Sequence, residues 1–407
     1  MKTSFARNAI VLGLLSAIGP FAIDMYLPAL PTIAEHLHAS IGATQMTLMA
    51  YFAGFGICQI VYGPVSDLVG RRPPLFFGLA VFILGAIGCA LSDTIEMLIA
   101  FRFLQGIGAS ASMVIPRAVI RDLHTGPDAA RLMSLVMLVF SVSPILAPLT
   151  GSAVIVPFGW RAVFVIGTIA AVLALVLVAL TLQETHPPER RLKSGIRSVM
   201  AGYGKLITDL RFLGLTFIGG LGMSSFFSFL ASSSFIYIDH FGLTPTQYSL
   251  AFSVNAIGFI GSAQLAGWLG ARFGLPKVVL TAVALYAFFA LVLFGVTLAG
   301  VDSLPVLMAL LFCAFAWLGL VIPTTMVLAL DEHGPIAGMA SALGGTLQMA
   351  AGAVMIVVVS AFFDGTALPM VAAIAACAAG AFTLAWLTLG RGGRAPVAVV
   401  ADGQPAE

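Results

Sequence analysis

Apolar runs of about 20 residues alternate along the chain with short polar interruptions, without the strict in–out alternation of a barrel strand. A run of this length crosses a hydrocarbon core of about 30 Å as a helix, and a helix satisfies its own backbone hydrogen bonds in lipid. The pattern predicts spans at roughly 9–32, 43–66, 74–92, 95–118, 130–156 and 160–182. A second set follows at roughly 212–238, 246–270, 276–299, 304–330, 336–362 and 367–390. The first run is followed by YLPALPTIAEHLHAS, not by a small-residue cleavage site, and is expected to be retained as a span. The most polar stretch, QETHPPERRLKSGIRSVMAGYGKLITD, divides the two sets. The expected organisation is a six-helix bundle over 1–182, a connecting loop over 183–211, a second bundle over 212–390 and a tail over 391–407.

Composition agrees with this pattern. Of 407 residues, 60% are hydrophobic and only 9% charged, whereas a soluble domain carries about 25% charge. The fold class is therefore an all-α membrane protein with twelve transmembrane helices. Net charge is +2, but its placement says more than its size. With the N-terminus inside, 17 of the 19 Lys and Arg fall in segments on the cytoplasmic side, among them Arg71, Arg72, Arg117, Arg121, Arg131, Arg190 and Arg272. The opposite loops carry acids such as Glu35, Asp93, Glu96, Asp239, Asp302 and Asp364. This asymmetry follows the positive-inside rule and predicts both termini in the cytoplasm. Cys58, Cys89, Cys313 and Cys377 lie within apolar runs without CxxC spacing and read as small packing residues.

Two charges sit deep within spans: Asp24, in GPFAIDMYLPALP, and Arg102. Asp24 is about 15 residues into span 1, which at 1.5 Å per residue puts it about 22 Å from the cytoplasmic edge. Arg102 is about 8 residues into span 4, which runs the other way, so it lies about 18 Å from that edge. The depths match, and the two are expected to face each other across the N-terminal bundle, directly or through water. Burial favours the neutral acid and a nearby guanidinium favours the carboxylate, so such a pair can bind and release a proton. The other reading is a structural salt bridge that fixes span 1 against span 4.

Other residues suggest a cavity and a gate. Tyr51, Phe55, Gln59 and Tyr62 share one face of span 2. Span 7 interleaves serines with Phe226 and Phe227, and spans 8 and 11 each add an amide, Asn255 and Gln348. With Tyr26, these are candidate substrate contacts in a mostly apolar pocket; for each one alone, ordinary helix packing explains the residue as well. Pro144, Pro148 and Gly151 are expected to bend or loosen span 5, as a hinge or as a static kink. His36 and His38, in an outer loop, are expected to be solvated.

The loop between spans 2 and 3 reads GPVSDLVGRRPPL, and the loop between spans 8 and 9 reads GWLGARFGLPK. Gly63 aligns with Gly267 and Gly70 with Gly274, at the same place in each half, which argues for internal duplication. Gly63 and Gly70 are expected to permit a tight turn, with Asp67, Arg71 and Arg72 forming a cytoplasmic gate. GPVSDLVGRRPPL resembles the loop 2–3 signature of the major facilitator superfamily. RFLQGIGAS resembles its helix 4 motif, SPILAPLTG the helix 5 motif of its drug:proton antiporters, and AIDMYLPALP the helix 1 motif of that branch. Taken in order with GWRAVF and SALGGTLQM, the chain looks most like bicyclomycin/chloramphenicol resistance (Bcr/CflA-type) efflux transporters. Helix 5 has Ala147-Pro148 where many antiporters have Gly-Pro.

The resemblance implies the major facilitator fold and proton-coupled export of small amphipathic drugs by alternating access in a bacterial inner membrane. Its expected partners are a drug, protons and the bilayer, for a monomer that binds no nucleic acid, metal or cofactor. A proton-coupled transporter of a sugar or amino acid is the alternative. A receptor would need a larger soluble domain than the linker. No HExxH, GxSxG or Walker motif marks an enzyme or an ATP-driven pump.

Overall fold

A computed structural model describes residues 2–124, 126–190 and 196–390. Arg191, Lys193, Arg391 and Arg394, which contribute to the charge asymmetry, lie outside the described residues, as does the tail 391–407. Among those described there is no strand. The N-terminal half comprises α1 (Lys2–Asp24), α2 (Leu30–His36), α3 (Ile41–Val69), α4 (Arg72–Ala90), α5 (Ile95–Leu123), α6 (Gly126–Phe158) and α7 (Arg161–Thr181). After α8 (Ile196–Thr208), the C-terminal half comprises α9 (Leu210–Ser234), α10 (Pro245–Phe273), α11 (Leu275–Leu298), α12 (Leu304–Asp331), α13 (Ala337–Phe362) and α14 (Leu368–Ala385). Among the described residues, twelve helical segments are long and apolar enough to cross a membrane, with α1 and α2 sharing one of them.

Local chemistry sets many of the helix ends. Ser40 accepts from the Ala43 N–H at the start of α3, and Thr94 from the Met97 N–H at the start of α5. Thr244 and Gln247 form a reciprocal capping box on α10. At the other ends, α3 and α10 stop at Gly70 (φ 98°) and Gly274 (φ 84°), left-handed backbone that favours glycine.

Within the first half α5 packs on α3 and α4, and α1 on α6; within the second α9 packs on α13 and α14, and α12 on α10 and α11. The halves meet along two seams, α3 on α13 and α6 on α10. Outward-facing apolar side chains such as Leu180, Phe362 and Val156 (79%, 72% and 68% exposed) suit contact with lipid tails. Glycine permits the closest approaches: a Cβ on Gly106 of α5 would lie 2.1 Å from the Tyr51 carbonyl, and one on Gly319 of α12 would lie 2.0 Å from the Phe259 carbonyl.

Four details differ from the sequence reading. Span 1 is not one helix: α1 stops at Asp24, and a 3-10 turn (Leu27–Ala29) leads into α2, because Pro28 and Pro31 bring no N–H to continue the ladder. The segment read as a connecting loop contains α8, whose Tyr203 and Leu206 are buried. Gly63 lies inside α3 and Gly267 inside α10, each with nothing within 4 Å of an added Cβ, so Gly70 and Gly274 alone make the turns. His36 is exposed, as expected, but it ends α2 instead of lying in a loop, and it accepts a hydrogen bond from Trp160 Nε1 at 3.1 Å.

Candidate functional site

The break in span 1 organises the site. At its end the Tyr26 N–H bonds the Ile23 carbonyl, leaving the Ala22 carbonyl as an acceptor for Arg102, whose Nη1 donates to it at 3.2 Å. The same nitrogen donates to Gln105 Oε1, one turn along α5, at 2.7 Å. The guanidinium lies between the rings of Tyr26 and Tyr51, each centroid 4.4 Å away, with Phe164 of α7 at 5.9 Å. Those rings are themselves fixed. Tyr26 OH is 2.7 Å from Thr47 Oγ1 on α3, and Tyr51 OH donates to the Gly19 carbonyl at 3.1 Å. Arg102 is fully buried, and its Nε and Nη2 have no hydrogen-bond partner.

Asp24 is buried at the same break but points elsewhere. Its Oδ2 accepts from Ser143 Oγ of α6 at 3.4 Å. Among the described ion pairs, none joins Asp24 to Arg102. The pair therefore shares a depth and a turn of span 1 without direct contact: the cation is held by π faces, a carbonyl and an amide, the carboxylate by one hydroxyl. Gly151 keeps α6 close here, since a Cβ on it would lie 2.4 Å from the Met25 carbonyl. α6 runs through Pro144 and Pro148 as a continuous helix. Ser249 and Ser253 of α10 donate to its Pro148 and Ile145 carbonyls at 2.8 and 3.1 Å.

The candidate substrate contacts divide among three places: the Arg102 cluster, the seam between halves and the interior of the C-terminal half. Phe55 stacks on Tyr51 (6.2 Å, 17°) and joins the Arg102 cluster. Gln59 Nε2 reaches Met113 Sδ at 3.9 Å, while its Oε1 sits against Gly345 of α13. Phe226 and Phe227 face different ways. Phe226 stacks on Phe259 and meets Phe315 edge-on, inside the C-terminal half. Phe227 stacks on Phe52 of α3 at 3.8 Å, across the seam between halves. Asn255 donates to Ala251, on its own helix, at 3.4 Å. Gln348 is buried with Nε2 unpaired, close to Gly219 of α9. Asn255 and Gln348 thus stand apart from the charged cluster.

The residues proposed for the gate form a network at the bundle end that carries the Gly70 turn and α8, the linker end. Buried Arg71 donates from Nε to Asp122 Oδ2 and from Nη1 to Ser66 Oγ, both at 2.8 Å, and pairs with Asp67. Glu184, beyond α7, accepts the backbone N–H groups of Arg71 (2.8 Å) and Arg72 (3.1 Å) at the start of α4. Arg72 also reaches the Ala179 carbonyl at 3.4 Å. In the second half, Ala271 occupies the place of Asp67, and the comparable ties are His333 to Asp209 and Arg211 to Glu332.

Reading the sequence missed Ser143, Thr47, Phe164, Asp122 and Glu184. Asp122 and Glu184 carried a signal, as acids close to the end of a span on the basic side. Ser143 and Phe164 lie at the edges of the SPILAPLTG and GWRAVF motifs, but nothing there singled them out as contacts, and Thr47 carried no signal, since such residues are common in packed transmembrane helices.

Comparison with known proteins follows the same lines. The profile of the Major Facilitator Superfamily matches residues 12–356. The chain is 36% identical to the uncharacterised MFS-type transporter YdgK of Bacillus subtilis, over 89% of this chain and 90% of that one. It is 29% identical to the bicyclomycin resistance protein homolog of Haemophilus influenzae, over 90% of this chain and 92% of that one. Among solved structures, a D-xylose–proton symporter superposes with a TM-score of 0.73 at 17% identity, over 94% of this chain and 97% of that one.

Proposed function

The chain belongs to the Major Facilitator Superfamily, and on that premise we propose that it exports small amphipathic drugs across a bacterial inner membrane in exchange for protons. Named resistance proteins among its relatives support the export reading. In this reading the linker end is cytoplasmic, as the distribution of Lys and Arg suggests, and the transporter works as a monomer in the bilayer.

One observation supports the proton coupling: a buried carboxylate, Asp24, at a break in span 1, two residues from the Ala22 carbonyl that buried Arg102 bonds, with no described ion pair between the two. A buried charge that no contacting cation balances is a group whose protonation strongly changes the local energy. Proton binding makes Asp24 neutral and leaves Arg102 held by Ala22, Gln105 and the two tyrosines. Proton loss leaves an anion whose field favours a shift of the unpaired Nε and Nη2 of Arg102, or of a cationic or polar substrate, towards it. A drug arriving from the linker end would promote proton release to the cytoplasm, and the more acidic outer side would reload the carboxylate. The aromatic faces of Tyr26, Tyr51 and Phe55 suit an apolar or cationic drug.

The test is drug-triggered collapse of a pH gradient in inverted vesicles, comparing the parent with Asp24→Asn, with chloramphenicol and a lipophilic cation side by side. Proton movement in the parent and none in the variant is the expected result. Equal movement in both makes Asp24 structural, and no movement with either drug hands the chain to the metabolite reading.

A further inference from the structure

The six described ion pairs all lie within one half or the other. The described hydrogen bonds between the halves join neutral groups, and one residue stands out among them. Gln45, fully buried near the start of α3, spends its whole amide on the opposite half. Its Nε2 donates to the Ala231 carbonyl at 3.1 Å and to Ser232 Oγ at 3.3 Å, both on α9. Its Oε1 accepts from Ser360 Oγ of α13 at 2.5 Å, and that hydroxyl also lies 3.2 Å from the Gly42 carbonyl. Among the described hydrogen bonds between halves, Gln45 is the one side chain that bonds two helices of its partner.

A second layer lies beneath it. Phe52, two helical turns along α3, stacks on Phe227. Gly352 of α13 makes room for that ring, since a Cβ there would lie 2.2 Å from it. On the other seam, Ser249 and Ser253 tie α10 to α6 at the same end of the bundle, away from the Gly70 turn. The 3-10 turn after the span 1 break packs against α9 and α10, and Tyr26 bonds Thr47, two residues from Gln45.

We propose that Gln45, with Ser360 as its partner, is the latch that keeps the end of the bundle opposite the linker closed in this conformation. The latch therefore sets the ratio between closed and open forms at that end. This rests on the alternating-access reading but not on the identity of any drug or on Asp24. Gln45 is a positioning residue: it acts by holding helices, not by touching cargo. The amide is well suited to the task. A buried amide with every donor and acceptor matched is specific in geometry, yet it can be exposed to water on opening at far smaller cost than a buried ion pair broken in place. Such a latch closes firmly and still releases on each cycle.

The test places spin labels on Leu91→Cys and Val301→Cys, exposed positions at that end of opposite halves, and reads the distance distribution in lipid nanodiscs by pulsed electron resonance. Gln45→Leu keeps the volume and removes all three bonds, which at roughly tenfold or more in equilibrium should populate a longer distance absent from the parent. Ser360→Ala removes one bond and should move the same population by a smaller factor, and serves also if Gln45→Leu fails to fold. Gln45→Glu, which keeps an acceptor for Ser360 but loses both donors, should lie nearer the Leu variant than the parent. Distributions identical to the parent in folded Gln45→Leu or Ser360→Ala would overturn the proposal. Because this readout needs no substrate, it stands or falls separately from the drug and proton assays.

Discussion

The two halves share a plan but differ in what they bury. Each places a glycine with positive φ after its second long helix, and each brings helices together over glycines that admit no side chain. The deep core of the first half holds an acid and an arginine, Asp24 and Arg102. The corresponding core of the second is polar without charge: the serines of α9, Asn255, Thr324, Thr325 and Gln348. The linker ends differ in the same way. Arg71 is buried among Asp67, Asp122 and Ser66, whereas Arg211 and Glu332 form a half-exposed pair, which contributes little in general. The two halves keep matching glycine turns while the deeply buried charges, Asp24 and Arg102, are concentrated in the first. Under the proposed function this is a division of labour, with the first half answering protons and the second supplying a neutral wall.

The sharpest way to break this comparison is Arg102→Lys. Charge is kept, but an ammonium lacks the planar fork that stacks between Tyr26 and Tyr51 while bonding Ala22 and Gln105. Drug-driven proton movement should fall at least about 100-fold, a change of about 2.7 kcal/mol. A loss below tenfold in folded protein would mean that charge alone suffices there.

Next in size is a pair of glycine substitutions. Gly106→Ala forces a methyl to 2.1 Å from the Tyr51 carbonyl and should cost about 2–3 kcal/mol, seen as a lower melting temperature in detergent. Gly267→Ala meets open space inside α10, and its effect should stay within about 0.5 kcal/mol. Equal losses would show that the space beside Gly267 is filled in the folded protein.

A smaller effect is expected at the linker end of the second half. Asp209 caps α9 through the Phe212 and Arg211 N–H groups, and these bonds with that to His333 hold its carboxyl below the usual carboxylate range. A depressed folded value means the stabilisation is present above the unfolded value of about 3.9 and is lost as pH falls through the folded one. Asp209→Ala should cost about 1 kcal/mol at neutral pH, and the difference from the parent should shrink in acid melts. A constant difference down to acid pH would assign the loss to packing instead.

The smallest change tests the neutral wall. Tyr286→Phe removes the buried bond with Ser225 and should cost about 1 kcal/mol or less while leaving proton movement unaltered. If coupling fell with it, the C-terminal half would carry part of the proton chemistry and the division above would fail.

Much of this was legible along the chain because the bilayer imposes simple rules. Span length, the polar divider and the repeated glycine spacing are one-dimensional signals, and they anticipated twelve membrane-spanning segments and the matched places of Gly70 and Gly274. Depth counted at 1.5 Å per residue put Asp24 and Arg102 at one level, and the Arg102 bond to Ala22 agrees with that. What was not legible was direction. Phe226 and Phe227 are neighbours in sequence but sit about 100° apart on a helix, so one packs inside its half and the other across the seam. Glycine spacing likewise could not tell Gly63, in open space, from Gly106, against a backbone.

The sequence by itself determined that the chain must cross a membrane as helices, since its apolar runs of about 20 residues lack the alternation of a barrel strand and a helix satisfies its own backbone in lipid. It also determined that two buried charges must find accommodation at one depth, because an isolated charge there is too costly. Only the tertiary structure decided how: Arg102 turned to tyrosine faces and a carbonyl exposed by the helix break, Asp24 to Ser143, and Gln45 to the far half. Those choices depend on which faces of separate helices meet, and a hydrophobic pattern carries the period of each helix but not its rotation against its neighbours.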